Sequence, residues 1–598
     1  MFQSFEETSD PSQGAPRLAA LRAEMANAGL EAFIVPRADQ YQGEYVADCD
    51  ARLAWLTGFT GSAGFCAALS DQAGIFVDGR YTVQVRAQTD PEQFTPQDWP
   101  ATQLGPWLCE RLSAGQKVGF DPWLHTISEV ETLEEQLSKA GIILVPSANL
   151  VDAIWTDRPA PPAGKAIAHP IEVSGEPSPD KRARMASQLA DAGHKAVILT
   201  EPASISWLLN IRGTDLPSVP VVQSHAVLHD DGTVWLFADP TKFDDLGPDP
   251  AITLFEHSAM VEQVASLAGP VRLEKSSCPV ALLSALRAAG IDVEFDDDPC
   301  ALAKACKNDV EIEGARQAHA RDALAMIKFL CWLDQVTPKG TMTEIDAVTA
   351  LEGFRRENNR LLDISFETIA GVADHAALPH YHVTNASNQT IVQDNVLLVD
   401  SGGQYRDGTT DITRTIAVGN PGDDIKAAFT RVLQGMIAIS RLRWPRGLAG
   451  RDLDAIARFP LWVAGQDYDH GTGHGVGSYL SVHEGPQRLS RVSHVPFQPG
   501  MILSNEPGYY REGAFGIRIE NLIVVQEAPD VQGADGRDQL SFETLCYVPI
   551  DTRLVVAEMM SADEIKWLND YHAECYARSA DHLQDDLRSW LEAATAPI

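Results

Sequence analysis

VLLVDSG (396–402), TTDITRTIAV (409–418), HGTGHGVG (470–477), ILSNEPGYY (502–510) and FGIRIEN (515–521) decide how this chain is read. The first is an apolar run ending in Asp400, which predicts a buried strand with a carboxylate at its end. The second alternates, placing Asp411, Thr413 and Thr415 on one face and Ile412, Arg414 and Ile416 on the other. Glycines around His470 and His474 let the backbone pack closely about both imidazoles. Pro507 turns Glu506 away from helix. The Ile517/Ile519 alternation predicts that Arg518 and Glu520 share a strand face, with Glu520 the obvious partner for the Arg518 charge. Taken singly, each residue has a plain structural reading: a capping aspartate, a glycine-loop histidine, half of a surface ion pair. Jointly those readings fail, because four buried carboxylates without counter-charge repel one another and do not all stay ionised. Two divalent cations neutralise Asp400, Asp411, Glu506 and Glu520, with His474 as the nitrogen ligand. The thiolate-free set suits Mn²⁺ first, with Zn²⁺ or Co²⁺ also possible, and the chemistry is metal-assisted hydrolysis.

Outside this stretch, the 598 residues exceed a single core. Lys plus Arg is 47 against 83 Asp plus Glu, a net charge of −36, which argues against nucleic acid and anionic membrane as partners. Nine scattered cysteines without a CxxC indicate neither a disulfide framework nor a cysteine zinc site. The N-terminus is acidic and polar, without the apolar segment of a secretory signal, and no run is long enough to span a bilayer. A reducing cytoplasm fits these features.

The first 300 residues carry a faint duplication. RAEMANAGLEAFIV (22–35) recurs as RMASQLADAGHKAVIL (184–199), and LAWLTGFTG (53–61) as ISWLLNIRG (205–213), aligning Trp55 with Trp207. Each copy predicts a helix stopped at glycine and then a short strand. The reading is two related α/β domains, 1–160 and 161–305, joined at TDRPAPPAG (156–164). An α+β catalytic domain, 306–598, follows. Asn308 and Glu311 predict a capping box that opens a long helix over roughly 309–335. The tail from Ser561 is helical by pattern, with aromatics that pack on its own domain or on another subunit.

DSGGQYRDGTTDITRT, HGTGHGVGSYLSVHEGP, EPGYY and GIRIEN resemble the pita-bread metallopeptidases, and within them the long cytosolic Xaa-Pro aminopeptidases. The likeness covers nearly the whole chain, including the IWTDRP joint and the WLNDYH tail. It implies two creatinase-N-terminal-like α/β domains before a pita-bread catalytic domain, and hydrolysis of the bond before a proline in second position by a metal-bridging hydroxide. By resemblance, Asp400 and Asp411 bind one cation, Asp411 and Glu520 bridge the two, and His474 and Glu506 complete the second. His380, His470 and His483 match the family's active-site histidines, His380 with a looser motif because His382 stands nearby; His375 and His382 are read as surface or outer residues. Glu506 would take the proton of the attacking water and His483 would stabilise the tetrahedral intermediate. Tyr510, Arg518 and His470 would receive the proline ring. A homodimer through the catalytic domain is implied, with Trp462 its candidate anchor. Prolidase, methionine aminopeptidase and non-enzymatic proteins share the scaffold. The intact ligand set speaks against the last, and the long N-terminal half against methionine aminopeptidase.

Overall fold

The computed structural model describes all 598 residues, which form two compact units. The first comprises Thr8–Ile171 and Glu176–Ala301. It contains two six-stranded sheets. One runs Thr95–Asp98, Ala73–Val77, Phe65–Leu69, Ala32–Pro36, Lys117–Phe120, Ile143–Pro146; the other runs Ile252–Phe255, Val234–Phe237, His225–His229, Ala196–Leu199, Val271–Leu273, Val293–Phe295. Their pairings match strand for strand: Ala32–Pro36 and Ala196–Leu199 each lie antiparallel to the following hairpin strand and parallel to the strand on the other side. The duplication read in the sequence is therefore a duplication of topology. The Trp55 and Trp207 helices, Arg52–Thr57 and Pro202–Leu209, also end alike, in a left-handed residue: Gly58 at φ 84° and Asn210 at φ 50°.

The second unit comprises Met1–Glu7, Glu172–Gly175 and Leu302–Ile598. It opens on the helix Asp309–Val336, where the Asn308 side chain accepts from the Val310 and Glu311 amides and Glu311 reaches back to the Asn308 amide. The strand Asn395–Ser401 sits between Ile369–Val372 and Ile412–Val418, antiparallel to both, with Asp400 opposite Thr413. Its Leu397 and Val399 pack with Met326 and Phe329, while Val396 packs with Phe429 and Leu433. That double burial explains the unbroken apolar run, and each such side chain contributes about 1.5–3 kcal/mol. A six-stranded sheet carries the other half of the motif residues, in the order Arg443–Pro445, Gln539–Thr544, Asn521–Glu527, Ile502–Asn505, Gly473–Gly475, Glu484–Leu489. The hairpin Gly508–Arg511 with Phe515–Arg518 stands beside it as a separate sheet. The tail forms helices Ala562–Ser579 and Asp585–Ala594, and its Leu568, Tyr571 and Cys575 are buried in the core of this unit. No helix is long and apolar enough to cross a membrane.

Candidate active site

Asp400, Asp411, His474, Glu506 and Glu520 come from five separate segments and converge at the junction of these sheets. His474 Nε2 lies 3.5 Å from Asp411 Oδ2 and 3.4 Å from Glu506 Oε1. Ligating atoms of Asp411, His474 and Glu520 all lie within 4.8 Å of one another. The hydrogen bonds leave a consistent remainder. Asp400 Oδ2 accepts from Arg518 Nη2 at 2.6 Å, Glu520 Oε2 from Thr413 Oγ1 at 2.8 Å and Glu506 Oε1 from Ser504 Oγ at 3.0 Å. Asp400 Oδ1, Asp411 Oδ1 and Glu520 Oε1 are buried without a hydrogen-bond partner. Buried acceptors of that kind are costly unless something occupies them. Cations fit: the donors are hard oxygens plus one imidazole, and each carboxylate that is tied down keeps another oxygen for a metal.

Tautomers follow from the backbone. His474 Nδ1 is 3.0 Å from the Gly475 carbonyl, so it carries the proton and Nε2 presents its lone pair to the carboxylates. His470 Nδ1 donates likewise to the Gly471 carbonyl at 2.8 Å, which leaves Nε2 to accept from the Tyr510 hydroxyl at 2.8 Å. Burial pushes the Tyr510 phenol up to about 12, so it keeps its proton to donate. Arg518 Nη1 completes the relay by donating to the Tyr510 oxygen at 2.7 Å. Electrostatics mark the same place. Burial, then the charges of Asp400 and Glu506, hold the Asp411 carboxyl well above its usual range. Burial and the charges of Asp411, Glu506 and Asp400 do the same to Glu520. Burial also raises Glu506, against the opposing charge of Arg518. Protein alone does not balance this cluster.

One expectation is overturned. Arg518 does not pair with Glu520; it binds Asp400, and it meets Glu520 only through Thr413, whose hydroxyl lies 3.2 Å from Arg518 Nε. Strand pairing ends at Arg518, opposite Gly508, and Glu520 lies outside that hairpin, just before Asn521–Glu527 begins, so the two tips diverge.

The remaining motif histidines line the same region. His483 stacks edge-on against His474 with ring centroids 4.3 Å apart. His380 is half-buried, and the carbonyl of its neighbour Pro379 accepts from Arg518 Nη2 at 3.3 Å. His375 and His382 instead engage Glu344 and Glu367.

Sequence reasoning missed the residues that hold these in place. Glu484, next to His483, is buried against Lys304 Nζ at 2.9 Å and against Lys307. Buried Arg458 grips Asp454 and donates to the His470 carbonyl at 2.6 Å. Lys307 stands 177 residues from Glu484 and leaves no local signal, whereas Arg458 and Asp454 form an i,i+4 pair on one helix, a spacing the sequence does show.

On this fold, a carboxylate and imidazole site with oxygens left for cations defines a metallopeptidase. Residues 313–527 match metallopeptidase family M24, 538–598 match the C-terminal region of peptidase M24, and 17–154 and 157–311 each match a creatinase/prolidase N-terminal domain. "Probable Xaa-Pro aminopeptidase P" of Aspergillus niger is 38% identical over 99% of this chain and 100% of its own length. "Aminopeptidase P2" of Arabidopsis thaliana is 36% identical over 95% of this chain and 86% of its own. A solved structure, the X-prolyl aminopeptidase of Caenorhabditis elegans, described as a cytosolic enzyme with a di-nuclear active site, superposes with a TM-score of 0.92 at 32% identity, covering 98% of this chain and 100% of that one. The chain belongs to the Xaa-Pro aminopeptidase family of M24 metallopeptidases.

Proposed function

We propose that this protein removes the first residue from peptides with proline in second position. The observation that carries this reading is the set of unpartnered, buried carboxylate oxygens around His474 Nε2, set beside the Arg518–Tyr510–His470 relay. Asp400, Asp411, His474, Glu506 and Glu520 would hold two divalent cations, with Mn²⁺ the metal the donors suit best. When bound, these supply Lewis-acid polarisation of the scissile carbonyl and lower the pKa of water. Glu506, with its raised affinity for protons, accepts the proton of the attacking water. His483 and His380 donate to the oxygen and nitrogen on which charge develops. Tyr510, His470 and the Arg518 stem wall a flat slot for the proline ring, which brings no N–H and so needs no acceptor.

The same geometry separates an aminopeptidase from a prolidase. A dipeptide substrate ends in a carboxylate just past the proline and gains specificity from a fixed cation there. Arg518 is committed to Asp400, Tyr510 and Thr413, and Arg80 to Asp78. Xaa-Pro-Yaa peptides should therefore exceed the Xaa-Pro dipeptide in kcat/KM, since neither arginine is left to pair the dipeptide's terminal carboxylate. Xaa-Ala-Yaa should be poor. A peptide panel in which the dipeptide leads would make the chain a prolidase.

The division 1–160, 161–305 and 306–598 belongs to the same reading, supported by the repeated sheet topology. So does a homodimer. Phe459 is 64% exposed, Trp462 43% and Val463 74%, exposed apolar side chains at the C-terminal end of the helix Gly450–Trp462. Light scattering should give twice the 65.0 kDa chain mass, and Trp462→Glu should give the chain mass itself; a monomeric parent protein rules the dimer out. A cytoplasmic location belongs to the same reading, supported by the likeness to the X-prolyl aminopeptidase of Caenorhabditis elegans, described as a cytosolic enzyme.

A further inference from the structure

The WLNDYH stretch (567–572) takes no part in the site described above, yet it reaches the back of it. Tyr571 and His572 are buried on the helix Ala562–Ser579. The Tyr571 hydroxyl accepts from Arg414 Nη2 at 2.9 Å and lies 2.8 Å from the Val548 carbonyl, to which it donates. His572 Nε2 accepts from the Ile550 amide at 3.1 Å. The helix thus pins the 548–550 segment through two adjacent side chains.

Arg414 is the centre of this arrangement. Only 2% exposed, it donates to the carbonyls of Thr413, Glu520, Val548 and Pro549, to Asn521 Oδ1 and to Tyr571. Every one of these acceptors is neutral. A buried guanidinium with no carboxylate among its hydrogen-bond partners is expensive unless all its N–H groups are placed. Its planar fork fixes directions that a lysine could not. What it fixes is specific. Asp411 immediately precedes the strand Ile412–Val418, and Glu520 immediately precedes Asn521–Glu527, strands of two different sheets. The backbone bond from the Glu520 amide to the Thr413 carbonyl, 3.2 Å, joins them directly, and Arg414 Nη1 clamps that same carbonyl to the carbonyl of Glu520.

We propose that Arg414 and Tyr571 are positioning residues for the Asp411–Glu520 pair, so that the helix Ala562–Ser579 sets the affinity of the metal centre. This rests on the two-cation reading above. Ligand atoms must be held within about 0.5 Å to bind well, and loss of an outer partner typically costs 10–100-fold in affinity.

The test is competition for Mn²⁺ between the protein and a fluorescent chelator, run on the full chain. Tyr571→Phe should weaken at least one Mn²⁺ by about 10–100-fold. Its kcat should recover at saturating Mn²⁺ while KM stays put. Trp567→Leu is the control: Trp567 stacks on Tyr571 at 5.2 Å, so its loss removes packing but no hydrogen bond to the strands. It should lower the unfolding temperature and leave Mn²⁺ affinity unchanged. Should Tyr571→Phe not fold, Arg414→Lys keeps the charge, loses the fork and takes the same readout. Unchanged Mn²⁺ affinity in the folded variant, or an equal loss in Trp567→Leu, overturns the proposal. A parent protein that binds fewer than two Mn²⁺ overturns the metal reading as well, which separates the two failures.

Discussion

Stripped of divalent cations, the protein should lose all measurable hydrolysis of an Xaa-Pro-Yaa peptide, and Mn²⁺ should restore it best. The cause is electrostatic before it is catalytic. Asp411 and Glu520 are buried and held far above their usual pKa by burial and by neighbouring carboxylates. Arg518 compensates Asp400, but three carboxylate oxygens have no partner at all. Without cations the cluster must take up protons, and a protonated carboxyl neither holds a metal nor polarises a carbonyl. Cations bind the native state and not the unfolded chain, so they also stabilise, by about 4 kcal/mol per site at a thousandfold excess over Kd. Chelator-treated protein should therefore unfold at a lower temperature than the Mn²⁺ form. Elemental analysis should find two ions per chain in fully active enzyme. Full activity with one tightly bound ion would count heavily against the two-cation site.

What could be read from sequence, and what could not, divides along chain distance. Asp400 was legible as the end of an apolar run and Asp411 from the alternation of the stretch it opens, and the strands Asn395–Ser401 and Ile412–Val418 pair with each other in antiparallel register. The long helix was legible from its cap, and the paired α/β folds from Trp55 and Trp207. Arg518 was not. Two residues from Glu520, it looked like that residue's partner, yet it turns to Asp400, 118 residues earlier. Local alternation assumes a continuous strand, and here the pairing ends at Arg518. Glu484 was overlooked for a related reason. Its lysine partners stand at positions 304 and 307, at the opening of the second unit, and no pattern near Glu484 announces them. The five expected ligand residues stood out because they sit in recognisable motifs, Asp400 and Asp411 together in DSGGQYRDGTTDITRT. The tissue between them is made of long-range buried contacts, which periodicity does not encode.

His483→Ala should lower kcat by about 10²–10³, equivalent to roughly 3–4 kcal/mol of transition-state stabilisation, with KM close to unchanged. The imidazole stands edge-on to His474, 4.3 Å between ring centroids, on the stretch joining the strands Gly473–Gly475 and Glu484–Leu489. A donor there can meet the oxygen that becomes negative as the carbonyl turns tetrahedral. In the ground state that oxygen carries little charge, so the interaction strengthens only on the way to the transition state and appears in kcat. Truncation should leave the stretch in place, because the next residue, Glu484, is held by two buried lysines and its strand pairs with Gly473–Gly475. Mn²⁺ content should stay at two per chain, which separates a lost donor from a damaged metal site. Loss of bound Mn²⁺ in this variant would place His483 among the groups that orient His474. A rise in KM at constant kcat would make it a substrate-binding residue only, since uniform binding and transition-state binding divide between the two constants in that way.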